Sequence, residues 1–196
     1  MRIIILLVFL FSLGFSQTFY NYYVSANAAE EIKDYNQAIN YYQAAIKLEP
    51  RFAPAHNGLG FVYLELADYK KAREYLAVAS NLMPEYTLPI INIGASYYRE
   101  GNLSEAQYYF LKVLDLDPKN VRALTNMAVV KFKYGDYWGA YSYYLAAKGQ
   151  DENYLKERYN KEKSLQEIAK ARKLDPANAQ LKILEETIKQ NEIFLP

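Results

Sequence analysis

A beat of 34 residues constrains this chain more than any other feature. Pro50, Pro84 and Pro118 stand 34 apart, as do Ala38, Ala72, Ala106 and Ala140, and Leu48, Leu82 and Leu116. Tyr35, Tyr69 and Tyr137 keep the step with Leu103 in the third place, and so do the pairs Gly60 and Gly94, Tyr63 and Tyr97. Residue types this different do not lock to one period through composition bias. A period of about 20 to 50 residues marks short units that cannot each bury an apolar side alone and therefore stack in a row.

Composition indicates what the units are made of. Hydrophobic residues make up 52% of the 196, with only 8 Gly and 7 Pro to interrupt them, which favours long helices over many short strands. The chain has 23 basic and 22 acidic side chains. A near-neutral balance gives no electrostatic case for nucleic acid or an anionic membrane surface. With no cysteine, a disulfide framework, thiolate metal sites and a cysteine nucleophile are all excluded.

Residues 1–16 read as a signal peptide. Arg2 is followed by an apolar run from Ile3 to Phe11, and the small residues Gly14 and Ser16 stand three and one places before a cut ahead of Gln17. As a helix, Ile3 to Phe15 reaches about 20 Å, short of the roughly 30 Å hydrocarbon core, so cleavage is expected rather than retention as an anchor. Loss of Arg2 would leave 22 basic against 22 acidic side chains. Export to a bacterial periplasm is the expectation, with membrane contact only through this segment if it were kept.

From Phe19 the period fills four units of two helices each: 19–52, 53–86, 87–120 and 121–154. In the second, Leu59, Gly60, Tyr63, Ala72, Leu76, Ala79 and Pro84 give the order apolar, small, aromatic, alanine, large apolar, alanine, proline. The third gives Ile93, Gly94, Tyr97, Ala106, Phe110, Val113 and Pro118. This resembles the tetratricopeptide repeat family. Small residues at Gly60 and Gly94, facing Ala72 and Ala106, let two helices approach at the near end of the usual separation of about 8 to 10 Å. Asp34, Asp68, Asn102 and Asp136 recur at the turn, where a short polar side chain caps the next helix. The resemblance implies an all-α, right-handed superhelix.

Departures are informative too. Ser25, Ala26 and Ala29 replace the preferred leucine, glycine and tyrosine of the first unit, so its first helix is expected to pack loosely. The fourth carries Lys131 at the aromatic place, and Phe132 beside it is an alternative inward residue. Beyond Gly149, read as a helix end, the period fails. Residues 155–196 read as a degenerate fifth repeat, with Ser164, Leu165, Ile168, Ala171, Leu174 and Pro176 as its second half, followed by a capping helix. One long helix is expected from Glu152 to Lys173, capped by Asp151. A last helix from Ala177 to Ile193 is expected to bury Leu181, Leu184 and Ile188.

Chemistry is hard to find. His56 is the only histidine, so no histidine pair exists to hold a metal. A phosphate loop and a nucleophile motif are both missing. The expectation is no enzyme, no catalytic residues, no metal and no cofactor. Tyrosine is abundant at 21 residues, with doublets such as Tyr41–Tyr42 and Tyr143–Tyr144 that read as amphipathic filling between helices. Asn102-Leu103-Ser104 spells a glycosylation sequon but is explained by helix capping.

The resemblance implies that the first helices line a concave groove for an extended peptide or a partner helix. The residues it places there are Asn57, Phe61, Asn92, Tyr98, Arg99, Arg122, Asn126, Phe132 and Lys133. Family members that hold a C-terminal carboxylate use a lysine and asparagine set across three repeats. Here Asn57 takes the lysine place and Phe61 the following asparagine place, which argues against a chaperone-tail receptor of that kind. Phe61, Ile91 and Tyr98, with Arg99, Arg122 and Lys133 at one end, suit apolar anchors with some acidic character. The expected function is an envelope adaptor holding a segment of another protein. The alternative is a self-associating structural component.

Overall fold

The computed structural model describes residues 18–158 and 161–190. Every regular element among them is a helix: α1 (18–31), α2 (Tyr35–Leu48), α3 (Ala53–Glu65), α4 (Tyr69–Leu82), α5 (Thr87–Glu100), α6 (Leu103–Leu116), α7 (Val121–Lys133), α8 (Tyr137–Gln150), α9 (Glu152–Arg158), α10 (Lys161–Leu174) and α11 (Ala179–Gln190). None of these helices is long and apolar enough to cross a membrane. The signal-peptide expectation for residues 1–16, and the cut at Gln17, lie outside the described residues. The chain divides into two compact units after Glu100.

One device turns the four hairpins of the 34-residue period. Lys33, Ala67, Gly101 and Gly135, again 34 apart, take left-handed φ values of 60°, 59°, 89° and 77°. The residue that follows caps the next helix, as the sequence pattern predicts. Asp34, Asp68, Asn102 and Asp136 accept the backbone N–H of Gln37, Lys71, Glu105 and Gly139 at 3.1, 3.2, 3.2 and 2.9 Å. The left-handed residue also closes the preceding helix. Asp68 N–H reaches back to Tyr63 O at 2.9 Å and Ala67 N–H to Leu64 O at 3.1 Å, satisfying carbonyls that a helix end would leave open. Ser104 donates to the cap oxygen of Asn102, so the sequon lies within a capping cluster.

In the first unit the core runs through Ala26, Ala29, Ala38, Tyr42, Ala45, Ala55, Leu59 and Val62. Helix α1 buries Ala26 fully and Ala29 nearly so, while Tyr20, Tyr22 and Val24 stay exposed. Small residues at these places leave room for the long Tyr42 side chain of α2, which fills the space and bonds to α1. The expected close approach of α3 and α4 is present. A Cβ added to Gly60 would stand 2.6 Å from Leu76 Cγ and 3.1 Å from the Ala72 carbonyl oxygen.

The second unit has its own core of Leu124, Ala128, Phe132, Ala140, Tyr144, Ala147, Leu155, Ile168, Leu181, Leu184 and Ile188. One expectation changes. Gly149 does not end α8, which continues to Gln150 with Asp151 as its C-cap. The expected helix from Glu152 to Lys173 is helical over Glu152–Arg158 (α9) and Lys161–Leu174 (α10), and residues 159–160 between them lie outside the described residues. Leu155 and Ile168 are both buried. Asp151 does cap the start of α9, accepting from Tyr154 N–H at 2.9 Å.

The last helix starts later than expected. Asn178 accepts the N–H of Leu181 at 3.2 Å, and α11 runs from Ala179 to Gln190. It buries Leu181, Leu184 and Ile188, as its apolar spacing predicts. Leu174, which the repeat pattern would turn inward, is 89% exposed.

Candidate peptide-binding face

In the first unit the first helices are α1, α3 and α5. Asn57, Phe61 and Glu65 are four residues apart and form one row along α3. Both ends of that row are tied to α5. Asn92 Nδ2 donates to Asn57 Oδ1 at 3.1 Å, and both side chains are buried. Arg99 donates to Glu65 Oε1 at 2.7 Å and to the Leu64 carbonyl at 3.2 Å. The guanidinium therefore stabilises the carbonyl end of α3, where a positive charge is favoured. Between these ties Phe61 is half-buried, as is Tyr98 on α5. On α1, Tyr20 and Val24 are each 49% exposed.

Beside this row is a polar cluster that the sequence pattern did not reveal. The Tyr42 hydroxyl lies 2.6 Å from Asn27 Oδ1 and 2.6 Å from Glu30 Oε2. Its ring tip crosses α3 where Gly58 has no side chain. One hydroxyl proton cannot serve two acceptors, so either Glu30 carries a proton or the Asn27 amide presents its N–H. Burial raises the Glu30 carboxyl above the ordinary value; the Tyr42 bond opposes that shift and the charge of Glu65 adds to it. Burial, then Glu30, pushes the Tyr42 phenol up as well. Gly58 escapes a period-based search because Val24, Asn92 and Asn126 occupy its equivalents. The available signal was a tyrosine at Tyr42 where α4 and α6 have Leu76 and Phe110.

His56 is packed, as expected. Its Nε2 lies 2.9 Å from the Pro50 carbonyl, so that nitrogen carries the proton, and the ring sits 6.3 Å from Tyr75. On α4, Arg73 lies over the Tyr97 ring at 4.4 Å and pairs with Glu100 at 2.9 Å.

In the second unit the expected positions separate. Arg122 and Lys133 are exposed and Asn126 is half-buried. Phe132 is turned into the core and packs edge-on against Tyr137 at 5.3 Å, so it leaves the exposed set. Lys131, at the aromatic place, pairs with the cap residue Asp136 at 3.1 Å. The carboxyl of Asp136 is lowered by the Gly139 N–H first and by Lys131 second. No group of three or more histidine, aspartate or glutamate side chains among the described residues is placed to hold a metal.

Paired helices, left-handed turns at a fixed step and first helices with a mixed aromatic and polar face define a helical-hairpin repeat protein. Tetratricopeptide repeat models match residues 31–87 and 90–120. The chain is a tetratricopeptide repeat protein, and such repeats are generally modules of interaction rather than catalysis. Solved structures agree on the fold. A crystal structure of MamA has a TM-score of 0.61 at 20% identity, covering 70% of this chain and 81% of that one. A thermophilic tetratricopeptide protein from Thermus thermophilus gives 0.64 at 16% identity, over 88% and 99%. The first tetratricopeptide domain of Spaghetti (RPAP3), bound to an HSP90 peptide, gives 0.57 at 22% identity, over 61% and 95%. No curated protein sequence matches the chain significantly.

Proposed function

We propose that this chain is a non-enzymatic adaptor of the bacterial cell envelope, exported by its N-terminal segment, that holds a peptide or partner segment against its first-helix faces. One observation carries the reading. Phe61 is half-open to solvent on an α3 row fixed at both ends by Asn57–Asn92 and Glu65–Arg99, and Tyr98 of the tied helix α5 is half-open as well. Aromatic groups held in place but not covered are what a peptide needs for anchoring at low ordering cost. The peptide-bound RPAP3 domain supports the reading by likeness of fold.

Crosslinking in the native envelope with mass identification tests it, using Phe61→Ala and Arg122→Glu as controls. Loss of a defined partner at unchanged helix content is the expected result; capture by both variants as by the parent overturns the groove. A mass that grows with concentration in light scattering would favour self-association instead. Export is checked by fractionation: the mature chain should appear in the periplasm beginning at Gln17.

A further inference from the structure

The sign of charge on the first unit's inner helices is uneven and specifies the chemistry of a partner. Helix α1 carries Glu30 and Glu31 and no basic residue, α3 carries Glu65, and α5 carries Arg99 and Glu100. Arg99 is held by Glu65, and Glu100 is held by Arg73 of α4. Glu30 and Glu31 have no ion pair among the described residues. Glu30 is half-buried and its only bonded partner among them is the neutral Tyr42 hydroxyl, with the like charge of Glu65 nearby. The aromatic and aliphatic groups Tyr20, Val24, Phe61 and Tyr98 are on the same three helices and are partly uncovered.

We infer that the first unit docks a basic, apolar-anchored peptide segment of another protein, its aliphatic or aromatic side chains on Phe61 and Tyr98 and its lysine or arginine groups against Glu30 and Glu31. This rests on the proposed adaptor function and, for the first unit, replaces the acidic character that Arg99, Arg122 and Lys133 together suggested in the sequence. With Arg99 neutralised by Glu65, an acidic segment would meet two unpaired carboxylates, and like charges brought together oppose association. A basic segment supplies the counter-charge that Glu30 lacks. Phe61 and Tyr98 would give the contact its apolar centre and the glutamates its rim, a division typical of specific interfaces.

The test uses the full chain and two synthetic peptides that share leucine and phenylalanine anchors, one with lysine and the other with glutamate between them. Fluorescence anisotropy is expected to show the lysine peptide binding at least about tenfold more tightly, with the difference shrinking as salt rises. The double variant Glu30→Gln, Glu31→Gln should remove most of that preference at unchanged circular dichroism. Equal binding of the two peptides, or a preference untouched by the double variant, overturns the inference. Phe61→Ala separates the two proposals. If it weakens the glutamate peptide more than the lysine one, the groove stands and the assigned charge falls. If it changes neither peptide, the groove itself falls.

Discussion

The Tyr42 hydroxyl lies 2.5 Å from where a side chain on Gly58 would begin, and that gap lets α2 reach α1 across the face of α3. Through it the hydroxyl meets Asn27 and Glu30. Gly58→Ala should therefore push the buried ring from its place and cost about 1–3 kcal/mol, the usual range for overpacking a filled core. Tyr42→Phe keeps the ring but loses the hydroxyl contacts, for about 1 kcal/mol. Urea unfolding of both variants measures this, and a Gly58→Ala chain as stable as the parent would show that α3 has room to spare.

A second prediction concerns the turns. Gly101 and Gly135 adopt left-handed φ at no steric cost, whereas Lys33 and Ala67 do so with a Cβ. Ala67→Gly should stabilise the first unit by about 0.5–1 kcal/mol, since relief of backbone strain outweighs the added freedom of the unfolded chain. A lower melting temperature for Ala67→Gly would contradict this.

Much of the hairpin architecture was legible because it repeats. Caps, alanines and prolines recur at a fixed step, and a feature repeated three or four times stands out from any single substitution. What escaped was unrepeated. Gly58 is matched to one tyrosine in one unit, so its partner had to be seen in three dimensions. Asn57, Asn92 and Arg99 look like available polar groups in the sequence, yet the fold pairs the asparagines with each other and Arg99 with Glu65 and a helix end. Local spacing shows which helix row a side chain shares, but not which partner from another helix it meets.

Two carboxyls should respond to pH with opposite sign. Asp136 is held below its ordinary value, first by Gly139 N–H and then by Lys131, so the native state favours its ionised form. Its contribution is complete above the unfolded value near 3.8 and is lost as pH falls through the lower folded value. Burial raises Glu30, so the native state favours its protonated form. That contribution is complete below the unfolded value of 4.5 and is lost as pH rises through the folded value. Melting curves should show Glu30→Gln gaining on the parent from mild acid to neutral pH. The deficit of Asp136→Asn should fade in strong acid. A constant offset between Glu30→Gln and the parent across that range would remove the proton from the Tyr42 cluster.

The buried asparagine pair decides how binding data on this face are to be interpreted. Asn57 and Asn92 are 7% and 8% exposed and satisfy one another at 3.1 Å. Asn57→Ala leaves the Asn92 amide without that partner, and the cost should be about 1–3 kcal/mol for either single change. The double change removes both polar groups, so it should cost clearly less than the sum of the two, with a coupling of about 1 kcal/mol. Additive losses would mean that the bond contributes little and that each amide finds water. If coupling is seen, reduced partner binding by Asn57→Ala reports a disturbed α3–α5 contact, whereas the same loss in Phe61→Ala at full stability reports a removed anchor.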